Sequence, residues 1–158
     1  FPKIEGWENS VKDLIPTING SIVVAHSIGC LFLFYLVQKY NLKIEHGIFV
    51  ACLKNILNDG KTIHGLLERL SKEESQSLKN FVERSIDWSK IAISVKNINF
   101  FYSNDDWAVP CEESTRYYKE FLPNSKFVVL KERGHFNEKT GVFTLPEVLD
   151  CVVNGYTK

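Results

Sequence analysis

Hydrophobic positions recur along this chain with two different periods, and the way the periods alternate predicts the fold class. Over residues 7–18, Trp7, Val11, Leu14, Ile15 and Ile18 fall at helical spacing, with Pro16 as an interruption. Residues 21–25 are a short β-branched run, which predicts a strand buried on both faces. Residues 28–40 are apolar almost all round, the pattern of a buried helix rather than a surface one. Residues 45–52 predict a second strand centred on Ile48, Phe49 and Val50. Residues 53–90 are polar, charged and helical in pattern, and Ser71 followed by Glu74 predicts a capping box that opens a helix to about residue 84. A third strand is expected at 97–103, a helix at 111–122 before Pro123, and a fourth strand at 126–130. A terminal helix is expected at 145–153, with Pro146 in its first turn, where proline is tolerated.

Strands that alternate with helices predict an α/β fold: a three-layer α/β/α sandwich around a mainly parallel sheet. A chain of 158 residues has the size of a single domain. Residues 53–90 then form a helical cover inserted over the sheet, not a second domain.

Composition narrows the function classes. Apolar residues make up 44% and charged residues 24%, the balance of a soluble globular protein. Basic and acidic residues number 19 each, so neither nucleic acid nor an anionic membrane is expected as a partner. The longest apolar run is too short to span a bilayer. Cys30, Cys52, Cys111 and Cys151 stand singly, which suits reduced thiols in a cytoplasmic protein better than a disulfide framework. No phosphate-binding glycine loop and no metal-ligand spacing is present, so no cofactor and no metal are expected. The chain opens on Phe1 and contains no methionine, and we expect a longer native chain.

In an open parallel sheet, ligands bind outside the carboxyl ends of the strands. The first strand is followed by His26-Ser27-Ile28-Gly29, the third by "NDDWAVP" and the fourth by "KERGHFN". A serine, a pair of aspartates and a histidine therefore fall on the functional edge in that order. Ser27 sits where a strand turns into a helix, with Ala25 and Gly29 as the small residues that a tight nucleophile elbow demands on either side. The Ile28 amide, at the start of the helix, is the candidate oxyanion donor. His135, after Gly134, is the candidate base, and Asp106 is preferred as the acid. Asp105 competes for that role or else braces the loop. His26 is expected to pack or hydrogen-bond locally, and His46 and His64 are poorly placed for catalysis. The chemistry these parts suit is attack of Ser27 on a small ester, thioester or amide. Trp88 and Trp107 are candidates for lining an apolar or aromatic subsite. A non-catalytic binding module that keeps the fold, and an acyltransferase or thioesterase, are the rival readings.

Through "IVVAHSIG", "DWSKI" at 87–91, "FFYSNDDWAVP" and "ERGHFN", the chain resembles the small α/β-hydrolases of the retinoblastoma-binding protein 9 type. The resemblance implies Ser27 as nucleophile, His135 as base, Asp106 as acid, a small helical cover and no cofactor. It also implies a preceding strand and glycine-rich loop that supply a second oxyanion amide; this sequence begins after that point. The Leu-x-Cys-x-Glu motif is absent, since "VPCEE" lacks the leucine and the spacing, so retinoblastoma-pocket binding is not expected.

Overall fold

Four parallel strands run side by side in the order β1 (Ile22–His26), β2 (Ile44–Val50), β3 (Val95–Ser103) and β4 (Lys126–Leu130). The computed structural model describes residues 3–54 and 71–155. Helices link the strands: α1 (Ile4–Val11) and α2 (Ile15–Ile18) precede β1, and α3 (Ile28–Tyr40) joins β1 to β2. The helices α4 (Lys72–Val82) and α5 (Trp88–Ser94) lie between β2 and β3. Finally, α6 (Cys111–Phe121) joins β3 to β4, and α7 (Pro146–Asn154) follows.

The register explains the two covered faces. Ala25, Phe49, Phe100 and Phe127 stand in one row across the sheet. Ring centroids of Phe49 and Phe100 are 5.2 Å apart, and those of Phe100 and Phe127 are 5.0 Å apart. Phe34 of α3 meets Phe49 at 4.8 Å and Tyr118 of α6 meets Phe100 at 4.6 Å, so α3 and α6 cover this face. On the other face, buried His46 bonds Asn99 across β2 and β3 at 2.8 Å, and Cys151 of α7 packs 3.8 Å from the same Nε2.

Several expectations change. The N-terminal helix begins at Ile4, and its break is a 3₁₀ turn at Lys12–Leu14. Pro16 sits in the first turn of α2, where its missing N–H costs nothing, and the tightening falls on the turn before it. The strand β1 is not buried on both faces: it is an edge strand among the described residues, and Ile22 and Val24 remain 45% and 49% exposed. The helix α5, capped by Asp87 accepting from the Lys90 amide, carries the helical region past its expected end at residue 90 to Ser94. The expected capping box at Ser71 and Glu74 is present in both directions. Residues 55–70, within the expected cover, lie outside the described residues.

Candidate active site

One residue separates β1 from α3, and that residue is Ser27. Its φ of 55° and ψ of −125° lie outside the ordinary regions for an L-residue. The turn is pinned on both sides, because the Ser27 amide donates to the Val50 carbonyl at 2.9 Å and its carbonyl accepts from the Cys30 amide at 3.1 Å. Among the described residues, Ser27, Ala51, Glu132 and Phe136 are non-glycines at positive φ that flank the carboxyl edge of the sheet. Strain of this kind costs about 1–3 kcal/mol per residue and collects at functional sites.

His135 follows β4 and reaches back to Ser27. Its Nε2 lies 3.0 Å from Ser27 Oγ, and its Nδ1 lies 2.9 Å and 3.1 Å from the two carboxylate oxygens of Asp106. An ionised carboxylate only accepts, so Nδ1 carries the proton and the neutral ring offers Nε2 as acceptor to the serine hydroxyl. The Asp106 side chain is fully buried. Its Oδ1 also accepts from the amides of Ala108 at 2.8 Å and Val109 at 3.0 Å. The turn 106–109 therefore holds the carboxylate by bonds that do not involve the histidine.

Ile28 is the first residue of α3, so its amide is one of the donors that an α-helix leaves without an internal partner. Apart from its chain neighbours and the backbone of its own helix, no described residue lies within 4 Å of the position a Cβ would take on Gly29, so the crowding expected there does not come from other described parts of the fold.

The other candidates separate cleanly. Asp105 turns away from His135 and accepts from Ser103 Oγ at 2.5 Å and the Gly134 amide at 2.8 Å. Trp88 packs among Phe34, Tyr117, Tyr118 and Phe121, so it belongs to the core and not to a substrate subsite. Trp107 is 62% exposed with its ring 6.3 Å from that of His135. His26 bonds not locally but to the His135 carbonyl at 3.0 Å. Sequence reasoning missed Ser103 and Asn104, which accept from the amides of Arg133 and Glu132 at 2.9 Å each. The signal was available: Ser, Asn and Asp in succession at a strand end are side chains that bond backbone amides. Among the described residues, no three His, Cys, Asp or Glu side chains are grouped to hold a metal ion. None of the described helices is long and apolar enough to cross a membrane.

Residues 1–154 match the profile of the family described as serine hydrolase. The chain belongs to the serine hydrolase family. Within curated proteins it is 25% identical over 158 residues to YdeN of Bacillus subtilis (strain 168), covering 99% of this chain and 75% of that one. The solved structure of the ydeN gene product superposes with a TM-score of 0.76, covering 99% of this chain and 77% of that one. A serine hydrolase from the polyaromatic hydrocarbon-degrading bacterium Cycloclasticus zankles shares the fold at a TM-score of 0.64 and 11% identity, covering 98% and 72%. This member of the serine hydrolase family thus has the α/β-hydrolase fold and spans about three quarters of the length of those relatives.

Proposed function

We propose that this serine hydrolase cleaves a small-molecule ester, thioester or amide through Ser27, His135 and Asp106. The observation that carries the reading is the unbroken chain from Ser27 Oγ to His135 Nε2 at 3.0 Å and from His135 Nδ1 to Asp106 at 2.9 Å. As Ser27 Oγ attacks the carbonyl carbon, its proton passes to Nε2, and the carbonyl oxygen becomes an alkoxide. The Ile28 amide, aided by the positive end of α3, donates to that oxygen. Collapse of the tetrahedral species expels the leaving group, which takes the proton from Nε2, and leaves Ser27 acylated. Water then repeats the sequence, giving its proton to Nε2 and releasing the acid. Asp106 holds the ring in the required tautomer and faces the positive charge it gains.

The residues quoted above also support the finer likeness to the retinoblastoma-binding protein 9 type, with no cofactor required. A fluorophosphonate probe, which labels an activated serine, tests the reading directly. We expect labelling of the wild type, none of Ser27→Ala, and a loss of about 10⁴-fold in kcat for Asp106→Asn on a p-nitrophenyl ester. Equal labelling of Ser27→Ala would remove Ser27 from the nucleophile role.

A further inference from the structure

The base sits on a loop that has little regular structure of its own, yet His135 must meet two partners at once. Three consecutive amides of this loop donate to three consecutive side chains at the end of β3. Glu132 N–H donates to Asn104 Oδ1 at 2.9 Å, Arg133 N–H to Ser103 Oγ at 2.9 Å, and Gly134 N–H to Asp105 Oδ1 at 2.8 Å. The three acceptors are not independent. Ser103 Oγ accepts from Arg133 and donates its own proton to Asp105 Oδ1, so one carboxylate oxygen gathers both the hydroxyl and the Gly134 amide. Ser103 is wholly buried, which fixes the origin of this relay in the core. The bonds from Ser103 and Gly134 hold the Asp105 carboxyl below its ordinary range. The loop backbone they grip is itself unusual, with Glu132 and Gly134 at φ of 54° and 50° on either side of Arg133.

We infer that Asp105 is a positioning residue for the base: through the Gly134 amide and Ser103 it sets where the backbone delivers His135. This inference rests on the reading of His135 as the base that activates Ser27. Asp105 touches neither Ser27 nor His135 by a side-chain bond, and of the two adjacent carboxylates Asp106 is the one that meets the imidazole. Two adjacent carboxylates thus divide the work, one orienting the ring and the other its backbone.

The test compares Asp105→Ala with Asp105→Asn in the purified protein, with wild type and Ser27→Ala alongside as probe-labelling controls. Asn keeps an oxygen that can accept from both Ser103 and Gly134, whereas Ala keeps none. A displacement of about 1 Å in a catalytic group costs on the order of 10²-fold in rate. We therefore expect Asp105→Ala to lose about 10²-fold in kcat on a p-nitrophenyl ester, with KM within twofold of wild type. Asp105→Asn should recover most of that loss. Wild-type kcat in Asp105→Ala, or an equal loss in Ala and Asn, overturns the inference. If Asp105→Ala does not fold, Asp105→Glu is read instead: it displaces the acceptor by one methylene, and an unchanged kcat overturns the inference as well. Failure of the underlying reading shows separately, as labelling that survives Ser27→Ala.

Discussion

The imidazole of His26 donates from Nε2 to the main-chain carbonyl of His135, 3.0 Å away, so the strand that ends at Ser27 is bonded directly to the loop that carries its partner. A carbonyl only accepts, which requires the proton on Nε2 of His26. Although His26 is exposed at the end of β1, partial desolvation of its ring and the adjacent His135 both push its pKa down, so the ring resists protonation.

Replacing His26 should loosen this tie. His26→Ala is expected to lower kcat by about tenfold to a hundredfold, and His26→Gln, which keeps a side-chain N–H, to lower it less. The sign of the pH effect follows from the depressed pKa. The folded state disfavours the charged ring, so stability is full above the unfolded value of about 6.5 and declines as pH falls through the folded value. Denaturation midpoints measured between pH 7 and 5 should fall less steeply in His26→Gln than in wild type. Parallel profiles would show that His26 does not titrate in this way.

Gly134 has two reasons to be glycine. Its φ is 50°, and a Cβ placed there would stand 2.5 Å from Thr140 Cγ2 and 2.7 Å from Thr140 Cβ. Thr140 cannot easily yield, because its hydroxyl donates to the Arg133 or Asn137 carbonyl and accepts from the Asn137 amide. The loop must therefore shift, and His135 shifts with it. Gly134→Ala is expected to destabilise by more than about 1 kcal/mol in chemical denaturation and to lower kcat further than that loss explains. A variant with normal stability and normal rate would show that the loop absorbs the methyl group without moving the histidine.

What the pattern of residues revealed, and what it concealed, divides along local and long-range lines. The bounds of α3 were legible because Ser27 precedes and Asn41 follows a stretch that is apolar almost all round, and the structure places both at positive φ. The capping box at Ser71 and β4 were legible for the same local reasons. The exposure of Ile22 and Val24 was not, since a β-branched run looks the same in a central strand as at an edge. Trp88 and Trp107 are both aromatic in composition, but only packing separates the core residue from the exposed one. The placement of Ser27, Asp106 and His135 at strand ends was legible from topology. The grip of Ser103, Asn104 and Asp105 on a loop about thirty residues away was not, because no periodicity reports a partner across that distance.

Glu8 makes a second pH dependence, far from Ser27. Its carboxylate accepts from Lys39 Nζ and Tyr40 O–H, and from Tyr35 O–H at 2.9 Å, tying α1 to the end of α3. The bonds from Lys39 and then Tyr40 bring its pKa down to about 2. A depressed carboxyl contributes stability above the unfolded value of about 4.3, and that contribution disappears as pH falls toward 2. Glu8→Gln should be less stable than wild type at pH 6 and converge with it near pH 2. Thermal midpoints across that range check this, and a constant gap would place the effect in packing instead of charge.

Trp107 gives the most direct handle on substrate choice. A tryptophan left 62% exposed beside His135 offers a flat apolar surface at the carboxyl edge of the sheet. An apolar or aromatic substrate group that covers about 60 Å² of it contributes about 1.5 kcal/mol at ~25 cal/mol per Å², or roughly tenfold in affinity. Trp107→Ala is therefore expected to raise KM about tenfold for aryl or long-chain esters and to leave KM for a methyl ester of a short acid nearly unchanged. The value of kcat should stay within twofold, because Asp106 is held by the amides of Ala108 and Val109 and not by the indole. The contrast between the two substrate classes decides the matter. An equal rise for both would point to a disturbed 106–109 turn, and no rise for either would mean that substrates bind on another side of His135.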